Sequence, residues 1–578
     1  MINLRLEQLS GQRKILPSFY DAMAFVFVIT ILALITVGTG SMNQTLAKLQ
    51  STPIELSLLN LPKYALYTTL RLFAAIFASL IFTFIIATLA AKNKKAEMII
   101  IPILDILQSV PILGFLTFTV TIFMSIFPGQ QIGVELASIF VIFTSQAWNM
   151  AFSFYQSLRS VPQDLKEVCE QFSLNSWQRF WQLEVPFAAP GLIWNTMMSM
   201  SSGWFFVVAS EAIVVGNTKI SLPGIGSWLA LAINSKDLAA VGWAVFTMGI
   251  VILLYDQFIF RPIMIWSDKL RAESKQNEIT TTSWVYNMLK KSKTWAVMMK
   301  PLQVLKNLML HMPWPAPFKQ KKIIPLPAWA NSFFNATWFA LVGAVLICSI
   351  LFLIKYLHHA ITLENVINVF FLGAITSVRI IILIILASII WVPIGIWVGL
   401  RPKVTSYIQP LAQFLAAFPA NILFPIFVFI IVQYNLNPEI WLSPLMILGT
   451  QWYIFFNIIA GVSMFQKDLK EVCMVYNIKN WLWWRKVILP SILPYYITGA
   501  LAASGGAWNA SIVAEVINWG SIRLQAHGLG GFIAQATQRG DSHSVILGIS
   551  VMVLFVIILN RLIWRRLYNY ALQYKNID

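Results

Sequence analysis

Glu211 and Glu515 each interrupt a run of apolar residues, and they lie 304 positions apart in a chain of 578 residues. Each has an arginine in an earlier apolar run, within Thr68-Thr69-Leu70-Arg71 and Thr376-Ser377-Val378-Arg379. An ionised side chain in a membrane span is costly and is normally held by an opposite charge or a polar path. At about 1.5 Å per residue, Arg71 and Glu211 fall at similar depth near the outer ends of their spans. The spacing predicts two ion pairs, Arg71 with Glu211 and Arg379 with Glu515. Such pairs are either part of an outer gate or anion path, or a structural clamp. Small and polar residues surround the glutamates: Ser201, Ser202 and Gly203 in one copy, Gly505, Gly506 and Asn509 in the other. Small residues let helices pack closely, and a solute pathway needs the same composition. On the pathway reading, Trp204 and Trp508 are candidate constrictions.

A second pattern carries charge outside the apolar runs. The segment "DLKEVC" occurs from Asp164 and again from Asp468. Asp164, Leu165, Lys166, Glu167, Val168, Cys169 and Phe172 thus answer to Asp468, Leu469, Lys470, Glu471, Val472, Cys473 and Tyr476. Set between long apolar runs, each segment must lie in water. A short amphipathic helix fits. Ser160 is placed to cap it, Pro162 suits its first turn, and Asp164 and Glu167 lie near the positive end of its dipole. Leu165, Val168 and Phe172 share one face. The helix either rests on the membrane surface or docks into a partner.

The elements that carry these residues are themselves duplicated. One shift of 304 residues aligns the chain from Trp148/Trp452 through Glu211/Glu515 to Gly226/Gly530, and upstream the shift becomes 308. Apolar runs long enough to span a bilayer, about 20 residues each, fall near 21–40, 66–91, 98–127, 132–158, 187–215 and 239–262. The second half repeats them near 331–356, 370–400, 405–433, 440–464, 491–517 and 544–566. The expected fold is all-α and polytopic, with twelve transmembrane helices in two parallel six-helix repeats, residues 1–264 and 329–578. An even number of spans per half gives both halves the same orientation. Lys92, Lys94, Lys95, Arg261, Arg401, Lys403, Arg561, Arg565 and Arg566 mark the cytoplasmic ends. Arg5, Arg13 and Lys14 before the first run suggest a retained first span.

Residues 265–328 read as a cytoplasmic linker. From Asp268 to Lys322 there are 11 lysines and arginines against 3 acids. Its stretch from Trp284 to Leu310 reads equally as a helix lying on anionic lipid or as a solvated tether.

Composition excludes a soluble globule: 58% of residues are hydrophobic and 11% charged, and mean hydropathy is +0.72. The net charge of +18 is spread over short inter-span segments, which reads as topology and excludes a nucleic-acid surface. Cys169, Cys348 and Cys473 cannot form a disulfide framework. Five histidines show no metal-ligand spacing. No G-x-x-x-x-G-K-[ST] occurs, so energy from ATP must come from a partner.

The spacing from Glu167, Val168 and Cys169 through Ser173 to Leu183, Val185 and Pro186 resembles the EAA loop of ABC-importer permeases, and Glu471, Val472, Cys473, Asn477, Val487, Leu489 and Pro490 repeat it. Ser173 and Asn477 replace the loop glycine of that pattern. With "SGGAWNASIVAE" and "HGLGGFIA", the chain resembles the nitrate, sulfonate, taurine and bicarbonate branch. The resemblance implies two MetI-like permease domains fused in one inner-membrane chain, with the termini and linker cytoplasmic. It implies coupling helices at Asp164–Phe172 and Asp468–Tyr476 that dock on two ATPase subunits, which bind ATP and Mg. It also implies a substrate-binding protein outside and a small anion as solute, with no cofactor or catalysis in this chain. Arg71, Arg379, Arg523 and Arg539 would place positive charge near the outer mouth. Two rivals stand beside it: an ion-driven secondary transporter using Glu211 and Glu515 as proton carriers, and a scaffold or sensor that binds the ATPases and moves nothing.

Overall fold

The computed structural model describes residues 54–109, 112–215, 218–268, 283–292, 350–357, 362–418, 420–463, 480–519 and 522–567, with scattered helical positions elsewhere. The first half opens with α1 (Leu61–Lys92), whose 32 residues reach about 48 Å, enough to cross a bilayer. At its end the Asn93 carboxamide accepts from the amides of Lys95 and Ala96 and starts α2 (Lys94–Ser109). Then come α3 (Ile112–Ile126), α4 (Gln131–Arg159) and the short α5 (Gln163–Gln171). A π turn at Phe180–Glu184 leads into α6 (Val185–Glu211). The chain then forms β1 (Ala212–Val215), β2 (Thr218–Ser221), α7 (Ile225–Asn234) and α8 (Leu238–Tyr255). A second π turn, Asp256–Phe260, precedes α9 (Arg261–Asp268).

In the linker, α10 (Trp284–Lys291) is capped by the Ser283 hydroxyl and buries Val285 and Met288, packing on α9. The second half repeats the plan as α11 (Leu363–Gly399), α12 (Pro402–Ala417), α13 (Phe424–Gln433), α14 (Pro438–Trp441), α15 (Leu445–Leu448) and α16 (Gln451–Ser463). It continues through α17 (Leu489–Ala514), β3 (Val516–Trp519), β4 (Ile522–Gln525), α18 (Leu529–Arg539) and α19 (Ser542–Leu559). The duplication extends to irregular features. π turns recur at Trp484–Ile488 and Asn560–Trp564, and Asp541 caps α19 as Asp237 caps α8.

Among the described residues six helices are long and apolar enough to span a membrane, or seven if the pair Pro438–Leu448 and Gln451–Val462, bent by 43°, is one span. The expected run near 21–40 and most of 331–356 lie outside the described residues. The runs near 98–127 and 405–433 are broken helices, α2 with α3 and α12 with α13. Prolines explain the breaks. Pro102 lies within α2, Pro111 falls between α2 and α3 in sequence, and Pro425 sits in the first turn of α13; none can donate to the helical ladder.

The fold is all-α, as expected, apart from two short antiparallel hairpins among the described residues. The fifth run, expected to 215, ends as a helix at Glu211; Ala212 then pairs with Ser221 and Val215 with Thr218. β3 and β4 repeat this, Val516 with Gln525 and Trp519 with Ile522. β-branched residues favour the extended chain, and Gly216-Asn217 and Gly520-Ser521 are two-residue hairpin signals.

Packing runs α1 against α4 and α4 against α6, and correspondingly α11 against α16 and α16 against α17. The third spans cross over. α2 and α3 lie against α17, α18 and α19, while α12 lies against α6 and α8. Each half's broken span therefore reaches into contact with the other half, while α3 also packs closely on α4 of its own half and α13 on β3 of its own.

Candidate functional site

At one end of the bundle each half ties a buried knot around a carboxylate. Glu211, the last residue of α6, accepts from Thr68 Oγ1 at 2.7 Å, Arg71 Nη1 at 2.8 Å and the Gly226 amide at 2.7 Å. Gly226 is in the first turn of α7, where unpaired amides and the helix dipole favour an anion. Arg71 is divided between two acids, gripping Glu135 of α4 through Nε and Nη2 at 2.6 and 2.8 Å, with the Pro223 carbonyl as a further acceptor. Arg71 and Glu211 are fully buried. A Cβ at Gly224 would overlap the Glu211 carboxylate, so the first glycine of Gly224-Ile225-Gly226 makes room for the charge.

The second knot differs in its outer bond. Glu515 accepts from Thr376 Oγ1 at 2.9 Å, Arg379 Nη1 at 2.9 Å and the Gly531 amide at 2.8 Å, and Gly528 leaves space for it as Gly224 does for Glu211. Arg379 Nη2 reaches Glu439 at 3.0 Å, and Glu439 is also met by the amide and ring of His527. His527 is 79% exposed. Where the first half has Pro223, whose carbonyl faces inward to Arg71, the second presents an imidazole to solvent.

Between the halves lies a cavity of about 100 Å³. Its walls come from α4 and α6 of the first half and α12, α16 and α17 of the second. Many lining residues are matched by the 304 shift: Trp148 with Trp452, Asn149 with Tyr453, Ser202 with Gly506, Phe205 with Asn509. Ser202 Oγ and Tyr453 OH face each other across the halves at 3.4 Å. None of the lining residues is Lys, Arg, His, Asp or Glu.

The opposite end carries α5. Lys92, at the C-terminus of α1, pairs with Glu184 at 2.8 Å just before α6, so the C-termini of α1 and α4 and the start of α6 share that end. α6, at 27 residues, separates it from the Glu211 knot by about 40 Å. Cys169 faces inward, while Val168 and Phe172 are 44% and 75% exposed. The helix ends in a Schellman motif: Leu174 donates to the Cys169 carbonyl and Ser173 to that of Glu170. Ser173 has φ 49°, the left-handed conformation for which glycine is the usual residue.

The model of the family described as "binding-protein-dependent transport system inner membrane component" matches residues 79–259 and 391–567, more than half of the chain. The chain belongs to this family. It is accordingly a multi-pass inner-membrane component of a transport system, with two copies of one transport domain. The bicarbonate transport system permease protein CmpB of Synechococcus elongatus is 30% identical over 31% of this chain and 61% of its own length. The nitrate import permease protein NrtB of Synechocystis sp. is 28% identical over 27% of this chain and 52% of its own. SsuC of Bacillus subtilis, named for aliphatic sulfonates transport, is 29% identical over 30% and 63%. The chain thus spans between half and two thirds of the length of these relatives.

In this chain both expected ion pairs form, at 2.8 and 2.9 Å. Their second acids, Glu135 and Glu439, are not among the sequence-based expectations, although the 304 shift that aligns Glu211 with Glu515 aligns them too. Of the pathway candidates, Ser202 and Asn509 line the cavity; Gly505 is next to the lining Gly506. Trp204 and Trp508 do not line it. Both are buried in helix packing, Trp204 donating to Tyr255 OH at 3.0 Å. The Ser201 side chain and Asp468 to Val472 lie outside the described residues; Cys473 is buried and Tyr476 exposed. Ser160 does not cap α5: it closes α4, its hydroxyl donating to the Ser157 carbonyl, and Pro162 takes the cap position.

Proposed function

We propose that the permease carries a small anion through the central cavity and is driven by two separate ATPase subunits that bind ATP and Mg and grip α5 and its repeat. Supporting this is the bare apolar face of α5, Val168 and Phe172, held in water by a helix with an acidic first turn. An exposed apolar patch on a short rigid helix suits a partner's groove. An extracytoplasmic binding protein would deliver solute at the knotted end, and nucleotide-driven closure of the ATPases would tilt the halves about the cavity, a two-state change biased from outside the membrane. The relatives' bicarbonate, nitrate and sulfonate names support an anion, as do Arg523 and Arg539 beyond the knots. The linker 265–328 would lie with α5 on the cytoplasmic side.

The knots favour clamp over proton carrier. Glu211 and Glu515 each meet three donors, a full set that holds a carboxylate in place. Charge reversal at Glu167 and Glu471 together is expected to abolish ATP-driven uptake and weaken ATPase association in co-purification. Undiminished uptake with normal association rejects the coupling role, and uptake that needs a proton gradient and no ATP rejects the ATPase-driven reading altogether.

A further inference from the structure

Building on the reading of the chain as an anion permease, we propose that the central cavity selects by charge. It accepts singly charged, weakly hydrated anions and rejects doubly charged ones, with Asn149, Ser202 and Tyr453 as specificity-determining residues. No cationic side chain lines the cavity. The two arginines of the knots are committed to four carboxylates, Arg71 to Glu135 and Glu211 and Arg379 to Glu439 and Glu515. An anion entering the cavity therefore exchanges water for neutral donors and apolar walls. The cost of removing an ion from water rises with the square of its charge, whereas what amides and hydroxyls return rises far less steeply. The balance that tolerates a monoanion turns against a dianion.

The donors are suited to this. The Asn149 amide nitrogen gives one hydrogen to Ser199 Oγ at 3.0 Å and carries a second. The Ser202–Tyr453 contact at 3.4 Å is long for two hydroxyls, so an anion oxygen replacing it loses little. Trp148, Trp452, Phe205, Phe206 and Phe418 give the wall an aromatic lining, broken only by the neutral Thr144, Ser145, Thr450 and Asn509 and by small or apolar residues, a surface that suits an anion with a diffuse charge or an apolar tail and penalises a strongly hydrated one. The pseudo-twofold is broken at each donor: Tyr453 stands opposite Asn149, and Gly506 opposite Ser202. A solute is accordingly held in one orientation, its charged end towards Asn149, Ser202 and Tyr453.

The test is anion binding to the full chain in nanodiscs, followed by calorimetry, so that selection by a binding protein does not intervene. Nitrate and ethanesulfonate are expected to bind at least tenfold more tightly than sulfate. Asn149→Leu and Tyr453→Phe are expected to weaken monoanion binding about tenfold, and Ser202→Lys to reduce the discrimination against sulfate to less than threefold. Tyr453→Phe removes a single hydroxyl and keeps the test open should Asn149→Leu not fold. Sulfate binding as tight as nitrate, absence of binding by either, or unchanged affinity in the folded variants overturns the proposal. ATP-driven uptake by the assembled transporter separates the two levels. Equal uptake of both charges leaves the anion permease standing and ends charge selection, whereas uptake of neither charge, with ATPases bound, ends the anion reading itself.

Discussion

Arg71 and Arg379 make the same bond under different exposure, and the difference has measurable weight. Removing one member of a buried ion pair strands the other at a cost of about 3–5 kcal/mol. Arg71→Met strands two sealed carboxylates, whereas Arg379→Met leaves Glu439, 36% exposed, able to take up water. The thermal midpoint in nanodiscs is therefore expected to fall further for Arg71→Met than for Arg379→Met; equal losses would refute the role of exposure. Gly224→Ala is expected to cost about 1–3 kcal/mol by overpacking, through contact with Glu211 and with no backbone strain, because its φ is 176°. At this scale the sequence was readable where depth along two spans could be compared, which is how Arg71 found Glu211. It was opaque at Glu135 and Glu439: an acid five residues into a span, or in a short helix before one, looks like a loop charge until the arginine's second face is seen. Trp204 and Trp508 show the same limit, since a large residue among small ones fits a constriction and a packing core equally well, and the structure shows both buried.

Helix α5 shows what an element can carry on poor local chemistry. Its Schellman turn places Ser173 in the left-handed region, which costs an L-residue roughly 1–2 kcal/mol. Lys236 does the same after α7, with φ 59°, where the second half has Gly540 at φ 70°. Ser173→Gly is expected to stabilise the turn by about 1 kcal/mol, visible as slower hydrogen exchange at Ser173 and Leu174 without loss of uptake; faster exchange would contradict the strain. The duplicated loop could be aligned from sequence because charge between apolar runs can only lie in water. The hairpins after Glu211 and Glu515 could not, because Ala212 to Val215, and Val516, Ile517 and Trp519 around a single Asn518, continue a hydrophobic run as smoothly as a helix does. Gly216-Asn217 and Gly520-Ser521 were the available signal.

Over the whole molecule the halves meet at unequal faces around one cavity. Ser202→Cys with Tyr453→Cys, in a background free of Cys169, Cys348 and Cys473, is expected to be bridged by a short bis-methanethiosulfonate linker, which makes up for the shorter cysteine side chain, and the bridge is expected to stop uptake until it is reduced. Ready cross-linking with full uptake would show that the halves do not move apart there. The parallel repeat followed from the constant shift, which no chance pattern maintains across four elements. The exchange of third spans did not, because hydropathy reports that a segment enters the bilayer and says nothing of which neighbour it chooses.

That exchange bears on how the protein is made. α2 and α3 rest on α17, α18 and α19, which follow them by more than 350 residues in the chain and leave the ribosome after the whole of the first half. The leading half must wait in the membrane with one flank bare until the trailing half arrives to cover it. Continuous translation through the linker delivers that cover from the same message, in fixed one-to-one ratio, before an unrelated helix can occupy the gap.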